Sequence, residues 1–577
     1  MIIHTNTAKE IFMTDLLLQV TKPGRYIGNE IHMVKKDPKN KTRFAFCFPD
    51  VYEVGMSHLG LQILYFFLNR REDVYCERAF MPWTDMAELM KENNLPLYAL
   101  ETGDPLRNFS FVGFTLQHEM SFTNVLAMLD LAGLPLRSAE RNEDMPIICA
   151  GGPCACNPEP MAEFIDFFYI GDGEATLDEI MDIYAECSGK QEFLTKIASL
   201  SGIYVPAFYE SAYNEDGTLK KFEVINTSAP KSVKRAHISS LDETFFPDRL
   251  LVPLIECTHH RATLELFRGC KRGCKFCQAG SIHQPIRYRK PETLLAQAEA
   301  LLDSTGHEEI SLVSLSTSDY PYFDELLDGL LKITKERQVN ISLPSLRVDA
   351  VSVAAMQKTQ AVRKSSLTFA PEAGTQRLRD VIRKDITDED IANGCRTAFE
   401  AGFDRVKLYF MTGLPTETLE DTEAIVELAH AVVEEYYQLA KDRRIRPVSV
   451  NISCSCFVPK PFTPFQRESQ DKADVFMEKQ RLIKSKIKKK QISYRYHDAK
   501  TAIVEGVLAR GDRRVGEAIE AAYRNGAIFD SWSELFNFEA WEQAFADTGV
   551  SFDFYAHRQR PNDELLPWDF IDMGVKL

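Results

Sequence analysis

Between Arg43 and about Gly173, short apolar runs alternate with longer amphipathic stretches. Arg43–Phe48 predicts a strand and Gly60–Leu68 a helix. Phe109–Leu116 and Asn124–Gly133 predict a second such pair. Further strands are expected at Pro146–Ala150, which stops at Gly151-Gly152-Pro153, and at Ile165–Ile170, which stops at Gly171-Asp-Gly-Glu174. Strands alternating with helices predict a doubly wound, Rossmann-like parallel sheet over residues 1–190, with ligands beyond the carboxyl ends of its strands. Residues 191–250 are polar, are broken by Pro206, Pro230 and Pro247, and read as a hairpin-bearing linker. A second series begins near Glu265, with strands at Ile310–Leu315, Asn340–Leu343, Ser366–Ala370, Arg405–Met411 and Val448–Ser453. Their spacing leaves room for crossover helices and predicts a partial or complete (β/α) barrel over residues 251–490, reactive at its strand C-termini. Residues 491–577 carry helical runs and three of the four tryptophans, and are expected to form a small separate helical domain.

Composition narrows the function classes. The chain has 577 residues with a net charge of -16, from 84 acidic against 68 basic side chains, which disfavours long-range capture of nucleic acid. The basic stretch Lys479–Lys490 reads as a solvated helix face. No basic, apolar leader and no long apolar run is found, so neither secretion nor membrane spanning is expected. Thirteen cysteines cannot all pair with one another, and a chain of this length needs no disulfide support. A cytoplasmic, reducing setting follows.

Three cysteines stand together at Cys270, Cys274 and Cys277, in the spacing C-x3-C-x2-C between glycines. Three thiolates on so short a loop can each reach one iron of a [4Fe-4S] cube, leaving the fourth iron open to a chelating small molecule. A zinc site completed by His259 or His260 is the alternative. Cys149, Cys154 and Cys156, and likewise Cys454 and Cys456, read as buried core thiols.

Arg268-Gly-Cys-Lys-Arg-Gly-Cys-Lys-Phe-Cys-Gln-Ala-Gly280 resembles the signature of radical S-adenosylmethionine (SAM) enzymes. Further matches follow in order at Leu315–Pro321, Thr368–Thr375, Leu408–Thr418 and Phe457–Gln466. Nearly the whole chain is similar to the branch in which a cobalamin-binding domain precedes the barrel, including Leu508–Arg514 and Leu566–Asp569. The resemblance implies a cluster on the three cysteines, SAM on its open iron, and one-electron cleavage to a 5'-deoxyadenosyl radical. It also implies an electron donor such as flavodoxin or ferredoxin. Phe276, beside the third cysteine, joins the cofactor-binding set. Ser316 and Ser318 stand where the family usually has Gly-Gly-Glu, and Arg347, Glu372 and Gly413 are expected around SAM. An ordinary ion pair at the barrel rim is the competing reading for Arg347 and Glu372. Gly151, Gly152, Gly171 and Gly173 resemble the turns that flank a cobalamin tail. His58 has neither the spacing nor the partner of a cobalt-binding histidine and is expected at the corrin edge or in a loop. The function implied is cobalamin-dependent methyl transfer to an unactivated carbon. Methylthiotransferase-like modification of RNA or ribosomal protein without B12, and a non-catalytic Fe-S or cobalamin sensor, stay open. No catalytic acid, base or substrate is named by the sequence.

Overall fold

The computed structural model describes residues 14–343, 367–441, 444 and 446–575. The first sheet contains β1 (Thr42–Phe48), β2 (Val74–Phe80), β3 (Phe111–Thr115), β4 (Ile147–Gly151), β5 (Phe167–Tyr169) and β6 (Ile203–Tyr204). They lie in the order β2-β1-β3-β4-β5-β6, parallel except for β6. The chain leaves β1 for one side and reaches β3 on the other, so the strand order reverses there and opens a crevice at the carboxyl ends. Burial of β1 and β3 explains their unbroken apolar runs.

β2 escapes a reading by hydrophobic pattern because it carries Glu77 and Arg78, both fully buried. Arg78 pairs with Glu30 at 2.8 Å and Glu101 at 2.6 Å, and Arg43 pairs with Glu77. Buried charges persist only when paired in this way.

The stretch after β5 contains the expected hairpin, β7 (Tyr209–Tyr213) with β8 (Leu219–Val224), and then β9 (Val233–Lys234). The second series opens with β10 (Ala262–Glu265) and a short antiparallel pair, β11 (Phe267–Arg268) and β12 (Arg287–Tyr288). β10, β13 (Glu309–Val313) and β14 (Asn340–Ser342) form one parallel arc. β15 (Leu367–Glu372), β16 (Arg405–Thr412), β17 (Ser449–Cys456) and β18 (Ile492–Tyr496) form a second. Helices Pro291–Thr305 and Phe323–Arg337 bury their apolar stripes on the first arc, and Asp388–Glu400, Leu419–Gln438 and Ala473–Lys486 on the second. Leu419–Gln438 starts at a capping box, in which the Thr418 side chain accepts the Asp421 N–H and the Asp421 carboxylate accepts the Thr418 N–H.

The α/β class with two parallel systems is as expected, while the boundaries at 190 and 490 both fall inside sheets. β6 completes the first sheet, and β18 extends the second arc. The C-terminal helices do not stand apart either. Val504, Ile519, Trp541 and Trp568 share one core with Phe111 and Leu126. β19 (Ile571–Asp572) pairs with β9, in the stretch that follows the first sheet. Within Lys479–Lys490, Lys479 departs from a solvated face: it is buried against Glu417 at 2.5 Å and Asp471 at 2.7 Å. No helix among the described residues is long and apolar enough to cross a membrane.

Candidate active site

The three-cysteine loop leaves β11 at Arg268 and ends in the short helix Gln278–Ile282, which the Cys277 sulfur caps by accepting the Gly280 N–H at 3.3 Å. Both arcs hold the loop. Lys275 donates its N–H to the Ile382 carbonyl at 3.0 Å, and Phe465 donates to the Lys275 carbonyl at 3.3 Å. Arg272 forks onto Asp319, with its Nε at 2.7 Å, and Ser316 donates to the same carboxylate at 2.7 Å. All three cysteines are half-buried, and all thirteen in the chain are free thiols. Burial pushes the Cys277 thiol up to about 11, with Cys274 and Cys270 adding to the shift. A positive centre would offset the cost of three clustered thiolates.

Spacing separates the two candidate centres. Among the described residues, only His118, Glu119 and Glu505 gather three metal-binding atoms within 4.8 Å of one another. The cysteine sulfurs are therefore spread more widely than in a tetrahedral zinc site, where Zn–S bonds of about 2.3 Å set sulfurs ~3.8 Å apart. His260 packs edge-on against His307, and His259 lines a cavity beside Arg261. The residues fit an iron-sulfur cube better than zinc.

The other expected SAM residues divide. Ser316 is buried and braces Asp319 behind the loop; Ser318 lies in the same short turn, Thr317–Asp319. Glu372 ends β15 at a register shift with φ +69°, a conformation uncommon for a side-chain-bearing residue. It pairs with Lys384 at 3.1 Å, and burial raises its pKa. Gly413 is a packing residue: a Cβ there would stand 2.4 Å from the Phe476 ring, and its N–H donates to Glu417 at 2.6 Å. Phe276 packs beside Phe457 and Phe465. Arg347 lies outside the described residues.

A cavity of about 720 Å³ opens at the carboxyl ends of β1, β3, β4 and β5. Gly151, Gly152, Gly171, Gly173 and His58 all line it, as do Arg268 and Gly269 just before Cys270. Its inner part is an apolar slot between the sheet and the helices Leu59–Asn69 and Leu177–Ala185, walled by Phe44, Phe46, Ile63 and Ile180. Gly171 has φ +125°, and any Cβ there would lie 1.9 Å from the Ala236 carbonyl oxygen, so no other residue fits the turn. His58 caps Leu59–Asn69 by accepting the Leu61 N–H on Nδ1 at 3.1 Å. Burial lowers its pKa to about 4 against a hydrogen bond with Gln117, and with Nδ1 engaged by the Leu61 N–H the neutral ring carries its proton on Nε2.

Residues 264–429 match the model of the radical SAM superfamily, and residues 60–206 the model described as radical SAM proteins, N-terminal. The chain carries a radical SAM domain. It is an enzyme on that ground, and a [4Fe-4S] cluster and SAM are the cofactors of such a domain. The chain is 28% identical over 516 residues to an uncharacterised protein of Methanocaldococcus jannaschii, covering 88% of this chain and 97% of that one. It is 24% identical over 196 residues to the ribosomal protein uS12 methylthiotransferase RimO of Pelotomaculum thermopropionicum, covering 32% of this chain and 43% of that one. Its fold is similar to that of the radical SAM methyltransferase TsrM from Kitasatospora setae, solved with cobalamin and a [4Fe-4S] cluster bound. The TM-score is 0.50 at 14% identity, over 74% of this chain and 77% of that one.

Two groups around the radical SAM domain were invisible to motif reading. Asp172 and Glu174, inside the glycine turn, grip Arg268 at 3.0 and 2.7 Å, and Arg268 also pairs with Glu265 at 2.7 Å. Arg287 forms a further pair with Asp172. The turn that borders the cavity is thus tied to the residue two places before Cys270. Elsewhere Lys460, in the Pro-rich match Phe457–Gln466, sits 2.7 Å from both Glu119 and Glu505. Partners this distant in sequence leave no local pattern.

Proposed function

We propose that Cys270, Cys274 and Cys277 hold a [4Fe-4S] cluster whose open iron takes SAM, and that the cavity on the first sheet holds cobalamin. The enzyme would then transfer a methyl group to an unactivated carbon. The observation that carries this reading is the single cavity bordered both by the glycine turns after β4 and β5 and by Arg268–Gly269 of the cysteine loop. Its apolar slot suits a flat aromatic tail, and its mouth is lined by backbone-rich turns that allow close approach. Bound together, these cofactors would supply a carbon radical and an activated methyl group. The chain's own residues hold the cysteine loop through Arg272–Asp319, orient the glycine turn through Arg268, and place His58 in the cavity wall. A reducing cytoplasm and a low-potential electron donor such as flavodoxin or ferredoxin complete the reading.

Anaerobic reconstitution with iron, sulfide, SAM, reductant and cobalamin is expected to give four irons per chain and 5'-deoxyadenosine. Cys270→Ala, Cys274→Ala and Cys277→Ala together should abolish both. A chain that binds no cobalamin, or whose SAM products are unchanged by cobalamin, would remove the methyl-transfer reading and favour methylthiotransferase-like chemistry.

A further inference from the structure

Barrel interiors are ordinarily filled by layers of branched apolar side chains. The second arc departs from that rule. Along β16, β17 and β18, Val406, Leu408, Val450, Ile452 and Ile492 are buried in the core shared with the helices. Side chains alternate along a strand, so their neighbours face the opposite, concave side. There the strand register brings polar residues together in two successive rows. Thr368, Lys407, Asn451 and Ser493 lie across all four strands, and Tyr409, Ser453 and Arg495 lie in the row above. None of these seven is buried, and Ser493 and Arg495 are exposed.

Charge accounting gives the rows their chemistry. The carboxylates on the inner side of the strands have cations of their own: Glu372 has Lys384, Glu265 has Arg268 and Arg289, and Glu309 has Arg261. Lys407 instead lies over the Tyr409 ring and donates to its hydroxyl at 2.5 Å. Among the described residues, no carboxylate pairs with Lys407 or with Arg495. Asn451 is half-buried, and its amide oxygen, out of solvent contact, has no hydrogen-bond partner.

We propose that these two rows form a substrate subsite for an oxyanion, a carboxylate or phosphate, carried beside a hydroxyl or amino group. Lys407 and Arg495 supply charge, Tyr409, Ser453 and Thr368 supply hydroxyl groups, and Asn451 accepts the neighbouring O–H or N–H. Lys407 lies five residues and Tyr409 three residues before Thr412, where β16 ends, so the two rows stand roughly 17 and 10 Å below the carboxyl end. The subsite therefore lies below the carboxyl end of the strands, and its place in a reaction rests on the function proposed above.

The test uses the full chain with its cluster reconstituted, titrated calorimetrically with pyrophosphate and, separately, with citrate. Binding of at least one is expected, weakened roughly tenfold by Lys407→Ala and again by Arg495→Ala, as for loss of one charge-assisted hydrogen bond each. Lys484→Ala, on the exposed helix face, serves as the control and should change nothing. No binding of either anion, or equal binding by the wild type and the double variant, overturns the proposal. A phosphate source is told from a carboxylate by which probe binds. Iron content and the change in the cluster's EPR signal on adding SAM are recorded in parallel. Their loss in the wild type would count against the radical SAM reading, whereas lost anion binding with both intact counts against the subsite alone.

Discussion

His58 shows how one side chain can serve a helix and a cavity at once. Its Nδ1 closes the start of Leu59–Asn69, while burial beside the Phe48 ring keeps the imidazole neutral. An unfolded histidine takes up its proton near pH 6.5, whereas the folded one does so only near 4. The unfolded chain therefore binds the extra proton in that window. The contribution of His58 is fully present above pH 6.5 and is lost as the pH falls toward 4. His58→Asn keeps a capping side chain and removes the titration, so its melting temperature should fall less than that of the wild type between pH 7 and 5. His58→Ala should lose the cap as well, a cost of about 1 kcal/mol at pH 7 in denaturant unfolding. An equal acid-side decline in wild type and His58→Asn would show that other groups set it. The sequence places His58 in a loop with the wrong spacing for cobalt, but the Leu61 N–H that engages its Nδ1 is supplied only by the folded helix start.

At the scale of elements, the glycine turn after β5 and the short β11–β12 pair act as one unit through Arg268. The Gly171-Asp-Gly-Glu174 pattern was readable as a turn because its glycines are local, and the cysteine spacing was readable for the same reason. What the two carboxylates do was not, because Asp172 and Glu174 meet Arg268 from 96 and 94 residues away. β2 was hidden in the same manner, its charges answered by Glu30 and Glu101 from other segments. Arg268→Ala leaves Asp172, Glu174 and Glu265 with one fewer cation and should destabilise by about 3–5 kcal/mol, the range for breaking a buried pair. Arg268→Lys retains the charge but loses the fork that engages three carboxylates, and should recover only part of that loss. Hydrogen exchange checks where the damage falls: faster exchange is expected in residues 170–175 and 268–280 together. Loosening confined to one of the two segments would show that they are not coupled.

The whole molecule is closed by contacts that ignore the order of the chain. The C-terminal helices complete the core of the first sheet, with Asp530 accepting from Thr123 at 2.7 Å and from Trp541 at 3.0 Å. The helical character of this region was readable from periodicity, but its docking was not, since periodicity shows that a face is apolar and not what covers it. Lys460 makes the closure electrostatic. It comes from the segment after β17, Glu119 from the turn after β3, and Glu505 from the helix Ala499–Arg510, so one ammonium joins first sheet, barrel and tail. His118 stands 3.5 Å from Glu505, and against the opposing effect of burial that carboxylate raises its pKa. The same residues offer three metal-binding atoms within 4.8 Å, yet the Lys460 ammonium already occupies the bridging position between the two carboxylates. Lys460→Met strands two buried carboxylates and should cost about 3–5 kcal/mol, whereas adding Glu119→Gln and Glu505→Gln removes the stranded charge and should restore most of it. The measurement is denaturant unfolding followed separately by the tryptophans at 541 and 568 and by the cluster absorbance. Both signals should shift together in Lys460→Met and return together in the triple variant. If the cluster signal moves alone, Lys460 serves the barrel only, and the three parts of the chain are held together by their apolar core.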